Sequence, residues 1–165
     1  ALRELQGLPV YVVVRLCTDD DEVVKFWNDI DNEVELALDV LDDFVGEAEE
    51  VNEFLPWLTY GIQLHRAREF GVSNKLFDLL DERPFSMDEM FDFVKLILGP
   101  IHGIDDPSID WDTFETALKQ RLKSEPMVWN PIKRRVTPWI DIRSLRRSYV
   151  RRGVGTSCTG LCSLS

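Results

Sequence analysis

Residues that support nucleophilic and phosphate chemistry are scarce in this 165-residue chain, which contains two histidines and three cysteines. No serine lies in a Gly-x-Ser-x-Gly elbow, and neither a P-loop nor a Gly-x-Gly-x-x-Gly sequence occurs. His65 lies in a charged segment typical of a helix surface, and His102 lies in a loop flanked by glycine and proline. Neither histidine is expected to be catalytic, so we predict that the chain is not an enzyme.

Long apolar runs are also missing. No run approaches the roughly 20 apolar residues that span a bilayer, and residues 1–8 show no signal-peptide pattern, so a soluble protein is expected. Three cysteines cannot all pair, which argues against a disulfide framework and indicates a reducing intracellular compartment, cytoplasmic or organellar, such as a plastid stroma. Cys17 lies in an apolar run and is predicted to be buried. Cys158 and Cys162 lack the second ligand pair of a structural zinc site.

Charge is divided unevenly along the chain. Residues 1–125 hold 29 acidic and 11 basic side chains, whereas residues 126–165 hold 1 acidic and 8 basic side chains. An acidic body repels nucleic acid and anionic membranes, so nucleic acid is an improbable partner and membrane contact is peripheral at most. The basic end is predicted to lie back on its own acidic body or to contact another protein.

The first 60 residues show the pattern of a βαβα unit. Residues 8–17 form an apolar, β-branched run typical of a strand buried on both faces. Thr18 with Asp21 predicts a helix start, residues 36–41 predict a second strand, and another helix begins near Val45. A strand, helix and strand within this length indicate a parallel pair, as in a small Rossmann-like unit.

Residues 61–125 are predicted to be mostly helical, and residues 126–165 to form a basic arm and a flexible tail. Residues 76–81 fit either a strand or a helical turn. The arm is predicted to cross the body in an extended conformation, anchored by Trp129 and Trp139, before a short basic helix at 141–151. The apolar spacing elsewhere predicts helices over residues 64–70, 87–98 and 110–123.

Acidic residues follow each predicted strand. Asp19 and Asp20 follow the first, Asp42 and Asp43 the second, and further acids follow residues 76–80. Ligands bind outside the carboxyl ends of strands in open α/β sheets, and clustered carboxylates suit Mg²⁺ or Ca²⁺. The alternative is that these acids only cap the helices that they precede, in which case no cofactor is bound.

The basic end carries the residues that we expect to contact a partner. Its cations alternate with large apolar side chains, a composition that can bind an acidic protein, RNA or anionic lipid. We favour protein contact. The predicted contact residues are Arg134, Arg135, Trp139, Arg143, Arg146 and Arg147.

Two segments resemble the closing part of a von Willebrand factor A-like domain of the kind found in uncharacterised algal and protist proteins. They are Pro9-Val-Tyr-Val-Val-Val-Arg-Leu-Cys-Thr-Asp-Asp-Asp-Glu-Val-Val-Lys-Phe-Trp-Asn28 and Leu38-Asp-Val-Leu-Asp-Asp-Phe-Val-Gly-Glu-Ala48. The resemblance implies a Rossmann-like sheet, non-enzymatic protein binding and a metal-dependent adhesion site. The Asp-x-Ser-x-Ser motif of such a site is absent, and the nearest sequence, at residues 106–110, ends in aspartate.

These observations predict a protein-interaction or structural module within a larger assembly. One alternative is a magnesium-dependent phosphotransfer or hydrolase-like site formed by Asp19, Asp20, Asp42 and Asp43. Another is a nucleic-acid or membrane adaptor that acts through the basic end.

Overall fold

The computed structural model describes residues 2–5, 7–18, 20–33, 38–41, 43–101 and 110–150. The fold is mixed α/β, with a parallel strand pair near the start and a mostly helical remainder. A 3-10 turn at Leu2–Leu5 precedes the regular elements, which are β1 (Val12–Arg15), α1 (Asp21–Glu33), β2 (Leu38–Leu41), α2 (Phe44–Phe54), α3 (Ile62–Glu69), α4 (Lys75–Asp78), α5 (Met87–Leu98), α6 (Trp111–Lys123), β3 (Val128–Asn130), β4 (Arg135–Thr137) and α7 (Ile142–Tyr149).

The predicted parallel pair is confirmed. β1 and β2 run in the same direction with α1 between them, and Val12 lies opposite Leu38 while Arg15 lies opposite Leu41. The first turn of α1 is capped by Asp20 rather than by Thr18, because the Asp20 carboxylate accepts a hydrogen bond from the Glu22 amide at 3.0 Å. Within the described residues this sheet has two strands.

The expectation that β1 is buried on both faces is wrong. Val12 to Val14 are only half-buried, and among the described strands β1 has a neighbour, β2, at one edge only. Arg15 lies on the α3 face, where its guanidinium contacts Glu69 at 2.9 Å. β1 ends at this residue, so Cys17, which was predicted to be buried, is exposed in the loop that follows.

The hydrophobic core lies in the helical part of the chain. Trp57, Phe93 and Phe114 are fully buried, with edge-to-face ring contacts between neighbouring phenylalanines such as Phe91 and Phe114. The helices predicted near residues 64–70, 87–98 and 110–123 are confirmed as α3, α5 and α6. Residues 75–78 form α4, so the helical-turn alternative holds for that segment. None of the described helices has both the length and the apolar character needed to cross a membrane.

Local sequence signals set the helix ends. Ser86 and Glu89 form a reciprocal capping box at the start of α5, and the Asp110 side chain accepts a hydrogen bond from the Thr113 amide at α6. Gly71 has a φ of 73°, a left-handed conformation that L side chains rarely adopt, and it ends the turn after α3. A side chain there would also contact the Tyr11 ring beside β1.

The region predicted as an extended arm contains an antiparallel hairpin. β3 pairs with β4, and Trp129 lies opposite Val136 on the outward side. After β4 the chain crosses the body as expected. The Thr59 amide donates a hydrogen bond to the Trp139 carbonyl there, at 2.9 Å. Trp139 packs against the core, whereas Trp129 is 49% exposed and is not an anchor. The basic helix that follows is confirmed as α7.

Candidate binding cleft at the edge of the parallel sheet

A buried arginine holds three carboxylates together between β2 and the helices that cover it. Arg68, on α3, is 4% exposed. Its Nη1 lies 2.5 Å from Glu47 and 3.0 Å from Asp81, and its Nη2 lies 3.0 Å from Asp39 in β2. Although burial opposes it, the negative charge of these three carboxylates raises the pKa of Arg68, so the guanidinium stays charged. These ion pairs fix α3 against β2.

The same acids form one wall of a cleft with a large excess of negative charge. The cleft has a volume of about 380 Å³. Among the described residues, six carboxylates line it, and Arg68 is the only cation that does so. Burial, and after it the nearby Asp39 charge, raise the pKa of Asp78. The three carboxylates beyond the arginine cluster are those of Glu50, Asp78 and Glu82.

Three consecutive residues of β2 line the cleft, together with Leu16 after β1 and Val24 of α1. Side chains from both faces of β2 line it, with Asp39 on one face and Leu38 and Val40 on the other. The Leu16 amide donates to the Leu41 carbonyl at 2.8 Å, so the backbone groups of Leu41 point toward β1. Because backbone groups alternate between the two edges of a strand, those of Val40, which also lines the cleft, point away from β1.

The cluster offers oxygen ligands to a metal ion, but the arginine already uses two of them. Carboxylate oxygens of Glu47, Glu50 and Asp81 lie within 4.8 Å of one another. One guanidinium nitrogen of Arg68 contacts both Glu47 and Asp81, and so takes the position that a cation would occupy between them. A divalent ion would therefore have to compete with a fixed positive charge.

The acids predicted as metal ligands have other roles where they are described. Asp43 accepts hydrogen bonds from the amides of Val45 and Gly46 and so caps α2, as Asp20 caps α1. Neither of these two residues lines the cleft. Asp19 and Asp42 lie outside the described residues, as do His102, Cys158 and Cys162.

His65 lies inside the protein, so its prediction as a surface residue is wrong. It is 2% exposed, its ring faces Phe44 and Tyr60, and its Nε2 lies 3.7 Å from Glu69. Burial lowers the pKa of His65 despite the Glu69 carboxylate, so the imidazole is neutral near neutral pH. Burial also raises the pKa of the Tyr60 hydroxyl.

The basic residues predicted to contact a partner lie around the hairpin and α7. Arg134 is in the hairpin turn with a φ of 49°, and Arg135 begins β4. Arg143, Arg146 and Arg147 are on α7, and Arg146 contacts Asp112 at 2.9 Å and Glu115 at 2.7 Å on α6. The basic end therefore folds back on the acidic body, at least through Arg146.

The two central residues of the cleft were missed by the sequence analysis. Asp39 is a charged residue inside an apolar strand, and Arg68 lies one turn after the apolar Leu64 on the buried side of α3. Those two positions are the only sequence signals that could have indicated the cluster. No protein-family model matches the chain, and neither a curated protein nor a solved structure matches it.

Proposed function

We propose that this chain is a non-enzymatic protein-interaction module, part of a larger assembly, that binds a basic, extended segment of a partner along the edge of β2 that no described strand pairs with. The observation that carries the proposal is that consecutive residues of β2 line the acidic cleft, while β1 is the one described strand that pairs with β2. Unpaired edge strands are sites where another chain adds a strand through main-chain hydrogen bonds. Protein binding is also what the resemblance of residues 9–28 and 38–48 to von Willebrand factor A-like domains implies.

The two faces of β2 specify the side chains of the partner. On one face of β2, Asp39 lies with the other carboxylates of the cleft. On the other face, Leu38 and Val40 are apolar, and Val24 of α1 lines the cleft with them. Successive side chains of an added strand point to opposite faces. The preferred segment therefore alternates lysine or arginine with valine, isoleucine or leucine, and its main chain pairs with Val40.

Fluorescence anisotropy with two labelled peptides tests this proposal. One peptide alternates lysine with valine, and the other has the same composition with its lysines in one block. We expect the alternating peptide to bind more tightly, because only its lysines all face the carboxylates. Equal affinity of the two peptides, or no binding of either, would show that β2 does not accept a strand.

A charge variant with a matched control locates the binding site. The double variant Asp78→Asn/Glu82→Gln removes two carboxylates of the cleft that do not contact Arg68. Loss of two partly exposed ion pairs is expected to cost about 1 kcal/mol of binding free energy, or about a fivefold loss of affinity. Glu49→Gln/Glu53→Gln removes the same charge from exposed positions of α2 outside the cleft and should have little effect.

A divalent-cation site is the second candidate function, and the proximity of the Glu47, Glu50 and Asp81 oxygens favours it. Such a site would supply the Mg²⁺ or Ca²⁺ chemistry of a phosphotransfer or hydrolase-like reaction. Calorimetric titration with each ion distinguishes the two functions. Heat of binding that Asp81→Asn abolishes would support the metal site, whereas absence of heat together with peptide binding would support the interaction module.

A further inference from the structure

A second groove, separate from the acidic cleft, has the opposite charge. It lies between the end of α6, the β3–β4 hairpin and the start of α7, with a volume of about 590 Å³. A neighbouring groove of about 570 Å³ continues it along α7, and Asp141 and Arg143 line both. Seven cationic and two anionic side chains line the two together, in a chain whose net charge is −11.

Part of this positive charge is not neutralised within the described residues. Lys133 lies 3.6 Å from Asp141, and Arg146 contacts two acids of α6. The remaining groove cations include three that form no ion pair with another described residue: Lys123, Arg135 and Arg143. They come from three different elements, α6, β4 and α7, and the fold brings them to one groove.

The floor of the groove is apolar. Ile140 is fully buried beneath it, Leu122 and Ile142 pack against the core, and Met127 is 54% exposed at its side. Arg135 lies two residues before the buried Thr137 on β4, so both side chains project toward the body rather than toward the exposed Trp129 face. Cations around an apolar floor, with a flexible methionine at the side, suit a ligand that carries both acids and aliphatic side chains.

We propose that this groove binds an acidic peptide segment of a partner protein, with leucine-type side chains on the apolar floor and carboxylates on Lys123, Arg135 and Arg143. The groove is concave, whereas a lipid surface is flat. The acidic remainder of the chain repels a long polyanion, while a short peptide responds mainly to charges within about 8–10 Å, the screening length at physiological salt. Both arguments favour a peptide over a membrane or a nucleic acid.

This inference does not depend on the acidic cleft, and together the two sites would let the module join a basic segment and an acidic segment. Fluorescence anisotropy with a short labelled peptide that alternates glutamate with leucine tests it on the full chain. A second peptide with serine in place of leucine tests the apolar floor, and oligouridylate and vesicles of mixed phosphatidylcholine and phosphatidylserine test the two other polyanions. We expect the glutamate–leucine peptide to bind most tightly and the serine peptide to bind several-fold more weakly.

Variants of exposed side chains identify the site. Arg135→Gln/Arg143→Gln should weaken the glutamate–leucine peptide by about tenfold, and Met127→Ser should weaken it without a change in net charge. Arg3→Gln/Lys75→Gln, which removes two exposed cations outside both grooves, should leave its affinity unchanged. Asp78→Asn/Glu82→Gln should not weaken it either, so that the failure of one site is distinguishable from the failure of the other.

Three results would overturn the inference. The first is an affinity for the glutamate–leucine peptide that the groove variant does not change, or no affinity at all. The second is tighter binding of oligouridylate or of the vesicles than of the peptide. The third is concentration-dependent self-association, measured by light scattering, that Arg135→Gln/Arg143→Gln abolishes, because a second copy of the chain would then be the occupant.

Discussion

Replacement of Arg68 by methionine should strongly destabilise the fold. The guanidinium is almost fully buried and contacts three carboxylates at 2.5 to 3.0 Å. At an effective dielectric constant of about 20, each contact of about 3 Å is worth roughly 5 kcal/mol, most of which is offset by the cost of burying the charges. Arg68→Met removes the attraction and leaves the buried Glu47 carboxylate without the guanidinium charge that offsets it. We therefore expect a loss of about 3–5 kcal/mol in the free energy of unfolding.

Urea unfolding, followed by tryptophan fluorescence and by circular dichroism, measures this loss. Arg66→Met is the matched control, because Arg66 is on the same helix but is 53% exposed, and its partner Glu69 keeps a second cation, Arg15 at 2.9 Å. It should cost about 0.5 kcal/mol or less. The double variant Arg68→Met/Glu47→Gln should recover part of the loss, because it removes the uncompensated charge. A loss below about 1 kcal/mol for Arg68→Met, or no recovery in the double variant, would refute the idea that these ion pairs hold α3 on β2.

Three further predictions concern the helical part. Hydrogen bonds from the Arg83 guanidinium and the Ser86 amide, opposed by burial of the carboxyl, lower the pKa of Glu89 to about 2. The ionised Glu89 should contribute about 1 kcal/mol to the free energy of unfolding after solvent screening, above about pH 4.5, and this contribution should be lost as the pH falls toward 2. The stabilities of Glu89→Ala and of the native chain should therefore converge in thermal melts at acidic pH. Because burial lowers the pKa of His65, the folded state disfavours the protonated imidazole. The free energy of unfolding should therefore be highest above the unfolded pKa of about 6.5 and decrease as the pH falls below it. His65→Gln should reduce this pH dependence in urea titrations. Phe114→Ala should cost about 3–5 kcal/mol in calorimetric melts, whereas Trp129→Ala, on the exposed face of the hairpin, should cost about 1 kcal/mol or less; similar losses for the two would place the core elsewhere.

The parallel pair could be predicted because its signals are local. β-branched residues before Arg15 and the helical spacing after Asp20 each specify one element, and the short distance to Leu38 leaves a parallel crossover as the simple connection. The depth of burial could not be predicted in the same way. The burial of β1 depends on which elements pack on its faces and edges. The apolar run at residues 8–17 contains no information about those elements.

The arginine cluster was not predictable from spacing. Arg68 is 29 residues from Asp39 and 13 from Asp81, so only the packing of α3 on β2 brings these charges together. His65 was misplaced for a related reason: its charged neighbour Arg66 is exposed, while Leu64 and Arg68 lie on the buried side. The hairpin was not predicted because Pro126, Pro131 and Pro138 indicated an extended arm, although proline at position 131 is equally suited to the turn that joins β3 to β4.

The charge asymmetry of the sequence becomes a spatial asymmetry of the folded chain. Arg146 neutralises Asp112 and Glu115, which ties α7 to α6 and leaves Arg135 and Arg143 facing the groove beside them. At the other site the acids outnumber the single Arg68. If attraction within the chain were the only role of these charges, folding would pair them off, because an unpaired like-charge cluster costs free energy. Two unbalanced clusters of opposite sign, one beside β2 and one above an apolar floor, therefore support our proposal that the module joins two oppositely charged segments.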